Sequence, residues 1–161
     1  GVARAMPNTP ATILKAVVGY CVAADSQSYR GTIEDLFSPL GLVVNVDEGE
    51  AFEALTVSCA SGTGFVLEIM QYWKEWIEER GIDAEVAQKM VIQTFLGAAT
   101  MAEQSQSSSF TELQDKVTSK KGVTMAGLQS MRELELDRVL RFSFEKAAIR
   151  DQEISKGTSS Q

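Results

Sequence analysis

The chain has 161 residues, 44% of them apolar and 23% charged, and a formal net charge of −7. That is the size and balance of one globular domain, or of one domain with a fragment of another. An acidic chain repels phosphate backbones, which argues against a nucleic-acid partner. No run of about 18 apolar residues is present to cross a membrane. The first ten residues, GVARAMPNTP, lack the long apolar core of a signal peptide. There is no histidine, which excludes Ser-His-Asp triads, Cys-His dyads and nearly all zinc enzymes. The two cysteines, Cys21 and Cys59, are far apart in sequence. They make neither a disulfide framework nor a metal site, and a reducing, cytoplasmic compartment fits them. Any chemistry is left to hydroxyls, carboxylates, lysines, backbone groups or a cofactor.

Residues 1–48 read as mixed structure. Ala16 to Ala24 (AVVGYCVAA) is a short apolar, β-branched run that predicts a buried strand. Ile33, Leu36, Phe37 and Leu40 then fall at helical spacing, and Gly41 stands where that helix should stop. Leu42 to Val46 (LVVNV) reads as a second strand. Two short strands and one helix cannot bury a core alone, so this stretch is expected to be the end of a larger sheet. After Glu48 the pattern is helical. Phe65, Val66, Ile69, Met70, Trp73, Trp76 and Ile77 form one stripe, which Gly81 ends, and Asp83 is a plausible N-cap for the next helix. That helix, about Ala84 to Gln104, is apolar nearly all round, which predicts cover on every side. Either it is a central core helix within one chain or a second subunit supplies part of the cover, approaching at Gly97, Ala98 and Ala99; the family resemblance given below favours the second. A polar connector, QSQSSS, leads to a short helix with Phe110, Leu113 and Val117. Further helices follow at about 124–133 and 136–154. Residues 156–161 are expected to be a disordered tail.

Three segments stand out by residue type. Met6 to Ala11 (MPNTPA) brackets an Asn-Thr pair with prolines, a stiff turn presenting two short polar side chains. Ser58 to Phe65 (SCASGTGF) opens a helix with small residues, which admit either a ligand or tight helix packing. Val117 to Gly127 (VTSKKGVTMAG) runs a Ser/Thr/Gly loop into a helix N-terminus. Free N–H groups and the helix dipole there suit an anion such as a carboxylate. Lys116, Lys120 and Lys121 add local positive charge, although each segment alone also reads as an ordinary turn or helix start.

In this order and spacing, Met6-Pro7-Asn8-Thr9-Pro10, Cys59 to Phe65 and Val117 to Thr124, with Thr94 to Ala99 (TFLGAA) between the last two, the chain resembles the pyrroline-5-carboxylate reductase family. The resemblance reaches to about Glu153. It implies a mainly α fold, a helical dimerisation domain like the C-terminal domain of 6-phosphogluconate dehydrogenase, with a small α/β remnant of a Rossmann domain at the N-terminus. The implied boundaries are 1–48 for the remnant and 49–155 for the helical domain, with a homodimer or higher homo-oligomer. It also implies reduction of 1-pyrroline-5-carboxylate, a cyclic imine, to proline with NADPH or NADH. No GxGxxG follows a strand here, so the main cofactor site is expected outside this chain and the chain alone is expected to be inactive. By match to the family motif, Ser119, Gly122, Val123 and Thr124 hold the substrate, Thr124 is catalytic at the ring nitrogen, Asn8 and Thr9 meet the nicotinamide, and no residue binds metal. The chain departs from the family where Lys120-Lys121 replace Pro-Gly, Cys59 a serine, Ala60 a glycine and Thr63 a proline. A lysine at a glycine position takes φ > 0 only at a cost. These departures keep a second reading open: a reductase of another cyclic imine, or a non-catalytic oligomerisation module.

Overall fold

The structure is a computed structural model that describes residues 1–105 and 107–157. Three strands, β1 (Ala3–Pro7), β2 (Ala16–Val22) and β3 (Gly41–Asn45), form one sheet in the order β1-β2-β3. β2 is antiparallel to β1, with Met6 opposite Gly19, and parallel to β3, with Val18 opposite Val43. β2 and β3 lie where the apolar runs placed them. β1 is a correction, since residue types mark Met6 to Ala11 as a turn and no strand before it. Its residues, ARAMP, carry no β-branched side chain to signal a strand, and Pro7, lacking an N–H, closes it. Between β2 and β3 lie a 3-10 stretch, α1 (Arg30–Phe37) and a tight turn over Ser38–Leu40. Gly41 stops this segment as expected: its φ is +144, and a Cβ there would stand 2.3 Å from the Ala16 carbonyl oxygen.

From Glu50 the chain is helical: α2 (Glu50–Leu55), a π turn (Thr56–Ala60), α3 (Gly62–Glu78), α4 (Ala84–Gln104), α5 (Phe110–Lys116), α6 (Val123–Glu133) and α7 (Leu136–Ser155). The expected class, mainly helical with a small α/β piece at the N-terminus, is the observed one. Asp83 does cap α4, its carboxylate accepting from the N–H of Glu85 at 2.9 Å and of Val86 at 3.4 Å. α5 begins with a capping box, Ser109 and Glu112 satisfying each other's backbone N–H. That Ser-x-x-Glu signal stands in the sequence and was passed over. Lys156 and Gly157 (φ +71) follow α7; residues 158–161, most of the expected tail, lie outside the described residues. No helix is long and apolar enough to cross a membrane among the described residues.

The chain forms two compact units, Gly1–Leu67 with Phe142–Gln161, and Glu68–Arg141. They divide the chain differently from the 48/49 boundary read in the sequence, because α2 and the near ends of α3 and α7 belong with the sheet. In this first unit Val18, Tyr20 and Phe52 are fully buried. Leu55 lies over Gly19, where an added Cβ would come within 2.2 Å of its side chain. Phe65 and Phe144 stack at 5.7 Å, and Gln152 donates to Glu53 at 2.7 Å. The Tyr20 hydroxyl donates to Glu34; burial, then that carboxylate, pushes its pKa up.

In the second unit Ile77, Ala87 and Val91 are buried, with Met70, Ile82 and Phe95 packed against them. Trp73 meets Phe95 edge-on at 5.3 Å. Here the structure separates the two readings of α4. Only Ala87 and Val91 of that helix are buried, while Met90, Ile92 and Leu96 remain 43%, 45% and 57% exposed. Within the described residues α4 is therefore not covered on every side, and much of its apolar surface stands open.

Candidate functional site

The loop before α6 is built by local hydrogen bonding. Thr118 turns back on α5, its hydroxyl donating to the Gln114 carbonyl at 2.6 Å. Ser119 to Gly122 then form a turn closed by the Gly122 N–H on the Ser119 carbonyl at 3.0 Å. Its third residue, Lys121, has φ +62, the conformation that normally calls for glycine. A non-glycine residue held there costs about 1–2 kcal/mol. A Cβ on Gly122 would stand 2.1 Å from the Ser119 Oγ, so a side chain there would make Ser119 rotate aside.

Gly122 is also the N-cap of α6, and no side chain caps that end. The helix ladder starts with the Ala126 N–H on the Gly122 carbonyl at 3.2 Å. The N–H groups of Val123, Thr124 and Met125 therefore have no helical acceptor, and the dipole gives them partial positive charge. Lys120 and Lys121 are the central residues of the turn and Lys116 precedes it at the end of α5. The hydroxyls of Ser119 and Thr124 have no protein partner among the described residues. Thr124 stands on the lip of an apolar groove of about 620 Å³ lined by Trp73, Phe95, Phe110, Leu113 and Leu128 among others. The structure thus brings Ser119, Gly122, Val123 and Thr124 to one turn and helix start, of which Thr124 lines the apolar groove. This combination can hold a small anion with an apolar ring.

Asn8 and Thr9 lie in the sheet-containing unit, on the turn between β1 and β2. Pro10 starts a single 3-10 turn over Thr9–Ile13. Thr9 is exposed, and its carbonyl accepts from the Thr12 hydroxyl at 3.2 Å. Ile13 and Leu14 present apolar side chains to solvent at 69% and 60% exposure. Asn8 is tied inward instead: its Oδ1 accepts from the Val17 N–H at 3.0 Å, and its Nδ2 donates to the Cys59 carbonyl at 3.1 Å. Sequence reasoning missed this pairing, for the second partner is 51 residues away. No glycine-rich phosphate loop accompanies this turn in the sequence.

A second cluster in the same unit was not singled out in the sequence. Arg4 pairs with Glu48 at 2.6 Å and lies 4.0 Å above the Phe52 ring. The buried Cys21 thiol donates to the same carboxylate at 2.9 Å. Burial, then Glu48, raises the thiol's pKa. The Cys21 bond and Arg4 lower that of Glu48 against the cost of its desolvation. A protonated, buried thiol is a poor nucleophile, so this cluster joins strands to the linker before α2 and offers no reactive group. Among the described residues no group of three His, Cys, Asp or Glu side chains could hold a metal ion.

Residues 49–154 match the family described as pyrroline-5-carboxylate reductase dimerisation. The chain belongs to that family, as its three motifs led one to expect. The pyrroline-5-carboxylate reductase of Methanosarcina acetivorans is 33% identical over 157 residues, covering 96% of this chain and 56% of its own length. That of Pseudomonas aeruginosa is 30% identical over 156 residues, 96% of this chain and 57% of its own length. Among solved structures, a pyrroline-5-carboxylate reductase from Coxiella burnetii superposes with a TM-score of 0.88 at 27% identity, over 99% of this chain and 57% of its own. A Plasmodium falciparum pyrroline carboxylate reductase with NADP bound shares the fold, with a TM-score of 0.83 at 23% identity over 98% of this chain and 62% of its own. This chain therefore spans a little over half the length of the curated relatives it matches.

Proposed function

We propose that this chain is the association and substrate half of an NADPH- or NADH-dependent cytoplasmic reductase that converts 1-pyrroline-5-carboxylate to proline. Residues 1–48 are read as the end of its nucleotide-binding domain and 49–155 as its helical domain. The observation that carries the reading is the uncapped start of α6 at Gly122, with the free hydroxyls of Ser119 and Thr124 beside it. The N–H groups of Val123 and Thr124 and the Ser119 hydroxyl bind the substrate carboxylate. Gly122 leaves room for it, and the groove beside Thr124 takes the ring carbons and excludes water. The dinucleotide, when bound, supplies the hydride that adds to the imine carbon. Thr124 donates a hydrogen bond to the ring nitrogen and guides the proton that this atom gains as C=N becomes C–N. Thr9 offers its exposed hydroxyl to the nicotinamide end, and Asn8 holds the turn that carries it. A homodimer covers the open face of α4.

Lys121 supports the second reading, since it sits where glycine would be free of strain. A related enzyme for another cyclic imine, or a module that has lost the reaction, would tolerate such a change in the loop.

The test is dinucleotide oxidation with 1-pyrroline-5-carboxylate by a longer protein that carries this chain behind a nucleotide-binding domain. The native protein should turn over, and Thr124→Val should lower kcat by about 10–100-fold with KM little changed. A folded native protein that oxidises neither NADPH nor NADH with this imine refutes the primary reading, and other cyclic imines then decide between the alternatives.

A further inference from the structure

Asn8 lies on a turn read as a contact for the nicotinamide end, yet its amide is already engaged on both sides. Oδ1 accepts from the Val17 N–H at 3.0 Å, holding the turn to the start of β2. Nδ2 donates to the Cys59 carbonyl at 3.1 Å, reaching the π turn that precedes α3. The Asn8 backbone is fixed as well, its N–H on the Val17 carbonyl at 3.3 Å and its carbonyl accepting from Ala11 at 3.0 Å.

The other end of this bridge is held at its start by the buried Val57 and by the Thr56 hydroxyl on the Phe52 carbonyl at 2.9 Å, and less so beyond Ser58. The π turn is closed by the Ser61 N–H on the Thr56 carbonyl at 3.0 Å, and π turns are rare and concentrate at functional places. Ser58 pairs only locally, with the neighbouring Cys59 sulfur at 3.5 Å. The small residues after it, Ala60 to Gly64, give few side-chain anchors. We propose that Asn8 is a positioning residue: its side-chain amide sets the π turn and the start of α3 against the β1–β2 turn. This rests on the functional reading above only for its consequence in turnover. The bridge needs an acceptor and a donor on one short side chain. Aspartate keeps the acceptor for Val17 but turns a carboxylate oxygen towards the Cys59 carbonyl, so it breaks one arm alone.

Cys59 supplies a direct readout, because it is half-buried in the π turn, while Cys21 is buried and serves as an internal reference. In this chain, labelling by a small thiol reagent, followed by peptide mass spectrometry, should modify Cys59 about fivefold faster in Asn8→Asp than in the native protein. Cys21 should keep its rate. Equal Cys59 rates overturn the proposal, and so does a matching rise at Cys21, which would mean that the whole sheet had loosened. In the longer, imine-reducing protein, Asn8→Asp should lower kcat about tenfold and leave KM for NADPH within about twofold, since a displaced turn misaligns a cofactor anchored elsewhere. A raised KM with unchanged kcat would make Asn8 a direct contact and overturn the proposal. If the native longer protein reduces no imine while the labelling difference persists, the functional reading fails and the bridge stands.

Discussion

In the sheet-containing unit Val18, Tyr20 and Phe52 are at most 1% exposed, whereas in the helical unit Tyr72, Trp76 and Leu96 stay 59%, 56% and 57% exposed. Both regions are rich in apolar residues, so composition does not make the difference. β2 is flanked by a strand on each side and roofed by α2, whose Phe52 and Leu55 are buried. α4 packs Ala87 and Val91 against Ile77 and its neighbours and borders an open groove with Phe110, Leu113 and Leu128, while Met90, Ile92 and Leu96 stay exposed. The first unit closes a small core around β2 by itself, although Ile13, Leu14, Leu36 and Leu42 stay at least 60% exposed. The second leaves a surface that a soluble protein would normally cover with a partner.

The sharpest test of this contrast removes a side chain from the closed unit. Phe52→Ala should cost about 3–5 kcal/mol in urea unfolding, because it opens a cavity under the sheet and also takes the ring from beneath Arg4. An unchanged midpoint would break the comparison on that side. On the open side, Leu96→Asp should leave the far-ultraviolet helix signal intact yet weaken self-association at least tenfold in sedimentation, as a charge placed in an apolar interface demands. Native protein that sediments as a monomer at every concentration would mean that α4 meets some other cover. The smallest effect belongs to the loop. Lys121→Gly should gain less than about 1 kcal/mol, the left-handed strain relieved minus the extra chain entropy of glycine. A loss instead would show that the lysine side chain holds the turn.

How much of this was legible depended on the distance between partners. The buried run of β2, the stripe of α3, the stop at Gly41 and the Asp83 cap are set by neighbours in sequence, and the sequence reading placed them. β1 escaped because ARAMP is weakly apolar and is a strand only through pairing with β2. The surroundings of α4 were half legible: its all-round apolar pattern called for cover, and only the three-dimensional arrangement shows that the described residues leave much of it open. The loop at 117–124 was marked by residue type, yet Lys121 at φ +62 shows the backbone keeping a turn that its side chain disfavours. Asn8 was marked as a contact by its place between prolines. No local pattern could reveal a hydrogen bond to Cys59.

The π turn at Thr56–Ala60 has a bearing on register. A π turn carries one residue more than the α turn it replaces, and each helical residue advances the surface by about 100°. With α2 seated on the sheet through Phe52 and Leu55, removing one residue from this turn would rotate α3 by that angle about its own axis. Phe65, at the start of α3, would turn away from Phe144. A single extra residue thus acts as the phase marker of the helix: sequence length here, more than side-chain identity, decides which way α3 faces.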